Sequence, residues 1–382
     1  VSAAVAWRPL SLTPDLTLNA LLALLPATAA LLGALYLDPR ERLRLFQGLV
    51  AVACFSAVLG LLQLGAGGNA FRLYQETSLD SPVGLFANRN HQAVFLACAL
   101  PVTGAIAGLK MDNNGDSRRT LLLAISIVTL LLLAVMSTGS RMGVALGLLG
   151  TVAAVFCYRV RRGRSARLTT QMRAVIAGGS AAMIGAAIFA AARSGAIERL
   201  AMTDTVNDTR AAMLRPLLET ARAFMPFGSG FGSFDSVYRR FEPNALLSTI
   251  YMNQAHNEPL QLAIEGGVPA LALLALFFWW WTRTALRIFR LRKSLRGGAI
   301  GMAATAITMI LMASSLVDFP LRTPLLSAVF VVASLEMMRG SRIHRPAKPA
   351  QAPESRRTPA IGAAPARLRR QRRELSGARP TP

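Results

Sequence analysis

Residues 258–281 read EPLQLAIEGGVPALALLALFFWWW, and the first cation after them is Arg283. A run of this length without Lys or Arg is long enough to cross, as a helix, a hydrocarbon core about 30 Å thick. The three tryptophans that end the run, followed by an arginine, are typical of a membrane–water interface. The stretch therefore predicts a transmembrane helix whose Trp281 end lies at a membrane surface.

The same pattern repeats along the 382 residues of the chain. Hydrophobic residues make up 53% of it, yet the net charge is +23, so the cations must lie between apolar segments and not within them. Nine runs of roughly 16 to 24 residues lack Lys and Arg. They lie near 16–37, 45–65, 91–109, 120–137, 142–158, 174–192, 258–281, 299–317 and 323–338. This predicts an all-α fold, a polytopic transmembrane helical bundle of about nine spans.

The runs divide the chain into four regions. We expect N-terminal transmembrane helices in 1–192, a loop with an amphipathic helix in 193–257, C-terminal transmembrane helices in 258–338 and a basic, disordered tail in 339–382. Val1 stands where a Met is expected, and nine spans put the two termini on opposite sides of the membrane. We therefore expect that an upstream segment is missing.

Lys and Arg fall mainly in alternate loops, with 30 of the 42 on one side of the predicted membrane. Short loops rich in Lys and Arg favour the cytoplasmic side. The basic segments are 38–44, 108–119, 159–173, 282–298 and 339–382. The C-terminus is therefore predicted to be cytoplasmic, and the loop 193–257 lies on the outer side. Topology explains the cations, so nucleic acid is not an expected partner.

The loop 193–257 is the one predicted extramembrane segment long enough to fold as a unit. Its middle is predicted to be a helix capped by Asp208. Apolar residues recur at helical spacing along it, at Leu214, Leu218, Ala221 and Met225, so the helix is expected to lie on the membrane. Arg210 lies near the helix N-terminus, where the helix dipole disfavours a cation. An anionic partner would explain this position, and the alternative is an arginine that extends past the helix end into water.

Polar residues collect at the predicted outer ends of the spans, where the membrane makes them costly and function is the usual reason for keeping them. The stretch 84–92 leads into the third span, and the hairpins 137–141 and 318–322 each join two spans. His256 stands just before the seventh span, which Asn257 is placed to cap. The candidate site residues are Asn88, Asn90, Arg141, His256, Asn257 and Arg322 in these segments, and Glu265 in the first turns of the seventh span.

Taken together, these motifs resemble the O-antigen ligase and O-antigen polymerase superfamily over residues 80–340. The resemblance lies in Gly84-x-Phe86-x-Asn88-x-Asn90, Ser140-Arg141, the Arg210 helix that runs into the glycine-rich 226–232, and His256-Asn257 with Glu265-Gly266. It implies a multi-pass enzyme of the bacterial inner membrane with a periplasmic catalytic face. Its donor would be an undecaprenyl diphosphate-linked glycan, and its acceptor the lipid A core of lipopolysaccharide, another glycan or a protein.

The resemblance also implies roles for three residues. A histidine before the helix and two arginines serve catalysis and diphosphate recognition in ligases of the family, and they correspond to His256, Arg141 and Arg210. Imidazole titrates near neutral pH and is suited to act as a general base, while guanidinium groups are suited to hold a diphosphate leaving group. Direct attack by the acceptor would invert the anomeric centre. His91 is the alternative base on the outer side.

We expect neither a metal nor a cofactor. Asp204 and Asp208 have no neighbouring His, and the glycine-rich stretch 228–233 lacks the strand and the Lys-Ser/Thr ending of a nucleotide-binding loop. Glycan transfer in a ligase or in a polysaccharide polymerase is the leading interpretation, with a slight preference for the ligase. A transporter of a small solute and a catalytically silent membrane scaffold are the alternatives from other classes.

Overall fold

A computed structural model describes residues 11–67, 69–75, 78, 81–113, 117–162, 205–244, 252–292 and 298–342. These residues form eleven α-helices and one 3-10 helix, and no strand occurs among them. The helices are α1 (Pro14–Leu22), α2 (Leu25–Tyr36), α3 (Pro39–Ala66), α4 (Arg89–Asn113), α5 (Ser117–Ser137), α6 (Arg141–Arg162), α7 (Thr205–Phe224), α8 (Phe234–Tyr238), α9 (Glu258–Leu291), α10 (Gly298–Ser315) and α11 (Pro324–Gly340). The 3-10 helix is Pro320–Arg322.

Seven segments in this part of the chain are long and apolar enough to cross a membrane. They are Pro14–Tyr36, which contains α1 and α2, followed by Pro39–Ala66, Arg89–Lys110, Arg118–Ser137, Arg141–Val160, Glu258–Leu291 and Gly298–Ser315. The prediction of an all-helical, multi-pass membrane protein is thereby confirmed. Of the two other predicted spans, 323–338 forms α11, which at 17 residues is not among the seven. The span near 174–192 lies outside the described residues.

The central helix of the bundle is α4, whose residues 91–100 are all buried. It packs against α3, α5, α6 and α10. Its closest neighbour is α6. Gly143 of α6 lies against Ala93 of α4, and Gly104 of α4 lies against the backbone of Ala154 of α6. Small residues at such crossings let membrane helices approach closely. The pairing shows that α4 and α6 run in the same direction, with their N-termini at one end of the bundle.

Gly104→Ala is expected to destabilise the bundle because its new methyl group would overlap the carbonyl oxygen of Ala154. Forced overpacking of this kind costs about 1 to 3 kcal/mol. The unfolding temperature in detergent is the measurement. Gly48→Ala in α3 is the matched control, since a Cβ there would meet nothing within 4 Å. Equal unfolding temperatures for the two variants would contradict the packing described here.

The long helix α9 is broken at Gly267, whose φ of +58° lies in the left-handed region. The glycine-rich loop 226–232 packs against this break and forms backbone hydrogen bonds with it. Val268 N donates to Pro226 O at 2.7 Å, while Ser229 N donates to Ile264 O and Gly230 N to Glu265 O, both at 2.9 Å. Pro269 has no N–H for the Glu265 carbonyl, so the bond from Gly230 replaces the missing helical one. The loop is thereby fixed to the first third of α9.

A second, smaller core joins α7 and α8 to the first turns of α9. Within it Leu217 and Ala221 of α7 are buried against residues that include Phe234 and Tyr238 of α8. The predicted amphipathic helix is therefore present, but the predicted stripe is split. Leu214 and Leu218 are exposed, whereas Ala221 and Met225 pack on this core. The helix begins at Thr205, so Asp208 lies inside it and does not cap it, contrary to the prediction.

Candidate active site

Three segments that are distant in sequence meet at the end of the bundle where α4 and α9 begin. They are the first turn of α4, the residues around His256 before α9, and the connection from α10 to α11. Asp318 lies at the centre of this connection. Its side chain is 3% exposed and has partners from all three segments.

Asp318 accepts hydrogen bonds at both carboxylate oxygens. Asn90 Nδ2 donates to Oδ2 at 2.8 Å, and Phe319 N donates to Oδ1 at 3.0 Å. His256 Nδ1 lies 3.2 Å from the same Oδ1. His91 Nε2 lies 4.0 Å from it, too far for a hydrogen bond. One carboxylate therefore faces two imidazole rings and bonds to one of them.

The surroundings of Asp318 determine its charge. Burial alone would raise the pKa of this carboxyl group, but the hydrogen bonds from His256 and Asn90 and the nearby His91 lower it below the ordinary value for aspartate. Asp318 is therefore ionised at neutral pH and can only accept hydrogen bonds. The proton in its bond with His256 must lie on Nδ1. A neutral His256 then has its lone pair on Nε2, the nitrogen that faces away from Asp318.

The backbone holds His256 in an uncommon conformation, with φ at +49°. Positive φ is rare outside glycine and persists where neighbouring contacts enforce it. Here Ala255 N donates to Gln261 Oε1 at 3.0 Å on one side of the residue. On the other side Asn257 caps α9 by accepting from Leu260 N, and its Nδ2 donates to Leu316 O at 2.9 Å. The His256 side chain keeps 32% of its surface exposed, so an external molecule can reach it.

Phe319 fixes the rings of both histidines. Its ring centroid lies 5.0 Å from that of His256 and 5.2 Å from that of His91, in tilted and edge-on orientations. His91 itself is buried, and its Nε2 makes no hydrogen bond to the part of the chain that the structure describes. Of the two candidate bases, only His256 is open to a substrate from outside.

A second polar cluster surrounds Glu265, whose side chain is 1% exposed. Arg322 Nη2 donates to its Oε2 at 3.0 Å. Gln261 Nε2 and the backbone N of Phe234 donate to its Oε1 at 3.1 and 3.3 Å. Arg322 keeps 30% of its side chain exposed, and its other N–H groups can serve a further acceptor. The cluster ties α8, α9 and the 3-10 helix together beside the His256 site.

Arg322→Leu is expected to destabilise the protein because it leaves the Glu265 carboxylate buried without its cation. Breaking a buried ion pair costs about 3 to 5 kcal/mol, and the lower end applies because Arg322 is partly exposed. The double variant with Glu265→Gln is expected to recover much of the loss in unfolding temperature. Arg215→Leu, which removes the exposed pair with Glu219, is the matched control and is expected to change little. A double variant no more stable than Arg322→Leu would argue against this account.

Below the site lies a narrow apolar cavity of about 180 Å³ between α9, α10 and α11. Glu258 forms part of its wall, and the Glu258 carboxylate accepts from Leu321 N at 2.9 Å. The rest of the wall is almost wholly apolar and includes Leu262, Phe277 and Phe330. From Glu258, at the polar end of the bundle, the cavity therefore continues along apolar side chains.

The structure places most of the predicted site residues near one another. Asn90, His256 and Asn257 contact the segment 316–319, and Glu265 pairs with Arg322. Asn88 accepts a hydrogen bond from Asn90 N at 2.8 Å and so fixes the start of α4.

The two predicted diphosphate-binding arginines are placed less closely relative to His256 than the other site residues. Arg141 is the first residue of α6 and is exposed. It lies at the same end of the bundle as His91, because Gly143 packs on Ala93. Arg210 is in α7, but its side chain lies outside the described residues.

Asp318 was not among the site residues predicted from the sequence. The signal available was a lone carboxylate in a five-residue connection between two spans, a position where an ionised group is costly unless it has partners. Within the described ranges, no three His, Cys, Asp or Glu side chains are grouped so that they could hold a metal ion.

Comparison with known proteins gives one family match. The O-antigen ligase model, Wzy_C, matches residues 125–275. The matched range contains Arg141, Arg210, His256 and Glu265, whereas Asp318 lies beyond it. None of the curated proteins compared with the chain matches it.

Proposed function

Residues 125–275 carry an O-antigen ligase family domain, and from this premise we propose that the protein transfers a glycan from undecaprenyl diphosphate to an acceptor hydroxyl. The family includes ligases and polymerases and implies lipid-linked glycan substrates. The observation that carries the proposal is the His256–Asp318 pair, in which a buried carboxylate orients a partly exposed imidazole. This is the arrangement by which a histidine is held as a general base.

In the proposed reaction the acceptor hydroxyl donates its proton to His256 Nε2 as its oxygen attacks the anomeric carbon. The bond from that carbon to the diphosphate oxygen breaks, and the electron pair leaves with the diphosphate. Asp318 stabilises the imidazolium that forms. Attack from the face opposite the leaving group inverts the anomeric centre. The proton moves from the acceptor to His256, and in the metal-independent form that we propose arginine side chains balance the charge of the leaving diphosphate.

The leaving diphosphate gains negative charge as the bond breaks, and cations placed near it stabilise the transition state. We assign this role to Arg141 and Arg210, with Arg322 in support beside Glu265. Arg141 is exposed at the end of the bundle where His256 lies. Guanidinium groups bind phosphate oxygens through paired N–H donors. The apolar cavity under Glu258 supports a donor that carries a hydrocarbon chain next to its diphosphate.

We propose that the His256 end of the bundle faces the periplasm of a bacterial inner membrane. The support is the distribution of cations, since the described ends opposite His256 hold the Arg-rich start of α3 and the Arg-rich end of α9. A lipid-linked glycan that has already crossed the membrane would then meet the site directly.

Reconstitution with an undecaprenyl diphosphate-linked glycan tests the proposed function. With a lipid A core acceptor, transfer is expected to proceed at the same rate with and without a metal chelator. Extension of one lipid-linked glycan by another, without use of the core acceptor, would identify a polymerase with the same chemistry. No transfer to any hydroxyl acceptor would contradict the proposal, and loss of transfer in chelator would contradict its metal-independent form.

A further inference from the structure

A second cavity, of about 370 Å³, lies between α3, α4 and α5. Gln47 lies near the start of α3, Lys110 near the end of α4 and Thr120 near the start of α5. These ends are opposite the end at which α4 begins and His256 lies. The cavity therefore belongs to neither the proposed transfer site nor the apolar cavity below it, and its volume is within the range of small-molecule sites.

The lining of this cavity changes from apolar to polar along its length. Its inner part is formed by apolar side chains, among them Val50, Cys54, Ile106 and Ile127. Thr103 also lines it, but the Thr103 hydroxyl donates to Ala99 O within α4 and adds little polarity. The other polar groups, those of Gln47, Lys110 and Thr120, lie at the helix ends. A ligand that matches this lining has a hydrocarbon chain and a polar head.

The cavity opens on the outside of the bundle. Ala51 of α3 and Leu123 of α5, which both line it, are exposed. Because α3 and α5 are long and apolar enough to be membrane spans, a lipid is the ligand expected to enter through this opening. Apolar walls without a neighbour lose their dispersion contacts, so an acyl chain that enters the cavity gains contacts on three helices.

The charge at the polar end favours an anion. Lys110, Arg118 and Arg119 lie along the end of α4 and the start of α5, and they outnumber the acidic Asp112 and Asp116 of the same stretch. Basic pockets between membrane helices bind anionic lipid head groups. We propose that this cavity binds one acyl chain of an anionic glycerophospholipid, with the lipid phosphate beside Lys110 and within reach of Gln47 and Thr120.

Native mass spectrometry of the delipidated protein tests this proposal. The probes are phosphatidylglycerol and phosphatidylcholine with the same acyl chains. The wild type is expected to retain one phosphatidylglycerol at concentrations where phosphatidylcholine is lost. Lys110→Gln is expected to reduce this preference about fivefold, the effect of one cation near a bilayer surface. Arg287→Gln removes an exposed cation of α9 at the same end of the bundle and is expected to keep the preference.

Two further measurements test the place of binding. Ala124→Trp puts a large ring into the cavity and is expected to lower phosphatidylglycerol occupancy at least about tenfold. Cys54 lines the cavity, whereas Cys98 and Cys157 are fully buried, so bound phosphatidylglycerol is expected to slow alkylation of the wild-type protein at Cys54. The Cys54 measurement does not depend on the folding of a variant. Equal retention of the two lipids, or Cys54 alkylation that phosphatidylglycerol leaves unchanged, would overturn the proposal.

Discussion

His256→Ala is expected to lower the rate of glycan transfer by about 10² to 10⁴, the contribution of a positioned general base. The variant removes the ring that would accept the proton of the acceptor hydroxyl. The Asp318 carboxylate keeps its bonds from Asn90 and Phe319, so the fold of this region should persist. Single-turnover transfer from a lipid-linked donor, with donor and acceptor in excess of their binding constants, measures the loss.

Two controls separate the loss of a base from a general defect. His344→Ala removes the histidine of the C-terminal tail and is expected to transfer at the wild-type rate. Added imidazole is expected to restore part of the activity of His256→Ala, because the original side chain is 32% exposed and its place is open to solvent. Transfer by His256→Ala at the wild-type rate would exclude His256 as the base.

Asp318→Asn is expected to reduce transfer by at least about 10² and by as much as about 10⁴, the effect of losing the correct imidazole tautomer in related catalytic arrangements. An amide has one acceptor oxygen, whereas donors approach both oxygens of Asp318. If the amide oxygen accepts from Asn90, the NH₂ group faces His256 Nδ1 and Phe319 N. In the reverse orientation the NH₂ group of the new amide faces the NH₂ group of Asn90, so two hydrogen-bond donors meet without an acceptor. In the first orientation His256 carries its proton on Nε2 and cannot accept another there.

Asp235→Asn is the matched control for this substitution. Asp235 lies in α8, on the same side of the molecule, and its partner is Arg239 in an exposed pair. It is expected to retain wild-type transfer. If Asp318→Asn kept the wild-type rate, Asp318 would have no part in orienting His256.

The membrane spans could be predicted from sequence because the information is local. The length and polarity of a run such as 142–158 can be read from that segment alone, and the bounds of α6, Arg141–Arg162, agree with it closely. The start of α7 was predicted less well. Aspartate is a preferred N-cap residue, but this preference did not decide where the helix begins, because the helix already includes residues from Thr205 onward. Packing on α8 and α9 decides which apolar residues of α7 are buried, and no spacing rule contains those partners.

Several residues of the site could be predicted from the sequence, but the contacts between them could not. His256 and Asn257 stand at a recognisable position before a span, whereas the partner of His256 lies 62 residues later in the chain. Nothing in the periodicity of α9 and α10 indicates that the connection after α10 folds back over His256. The break in α9 had a local sign, since Gly267 and Pro269 both weaken a helix. The packing of residues 226–230 against this break could not be predicted, because it is made by backbone N–H and C=O groups, which every residue but proline carries.

One measurement tests most directly whether His256 and Asp318 act together in transfer. It compares single-turnover rates of the wild type, His256→Ala, Asp318→Asn and the double variant in one lipid preparation. Groups that act as a unit give non-additive losses, so the double variant is expected to be no slower than His256→Ala within about threefold. Losses that multiply in the double variant, or His256→Ala at the wild-type rate, would contradict the account.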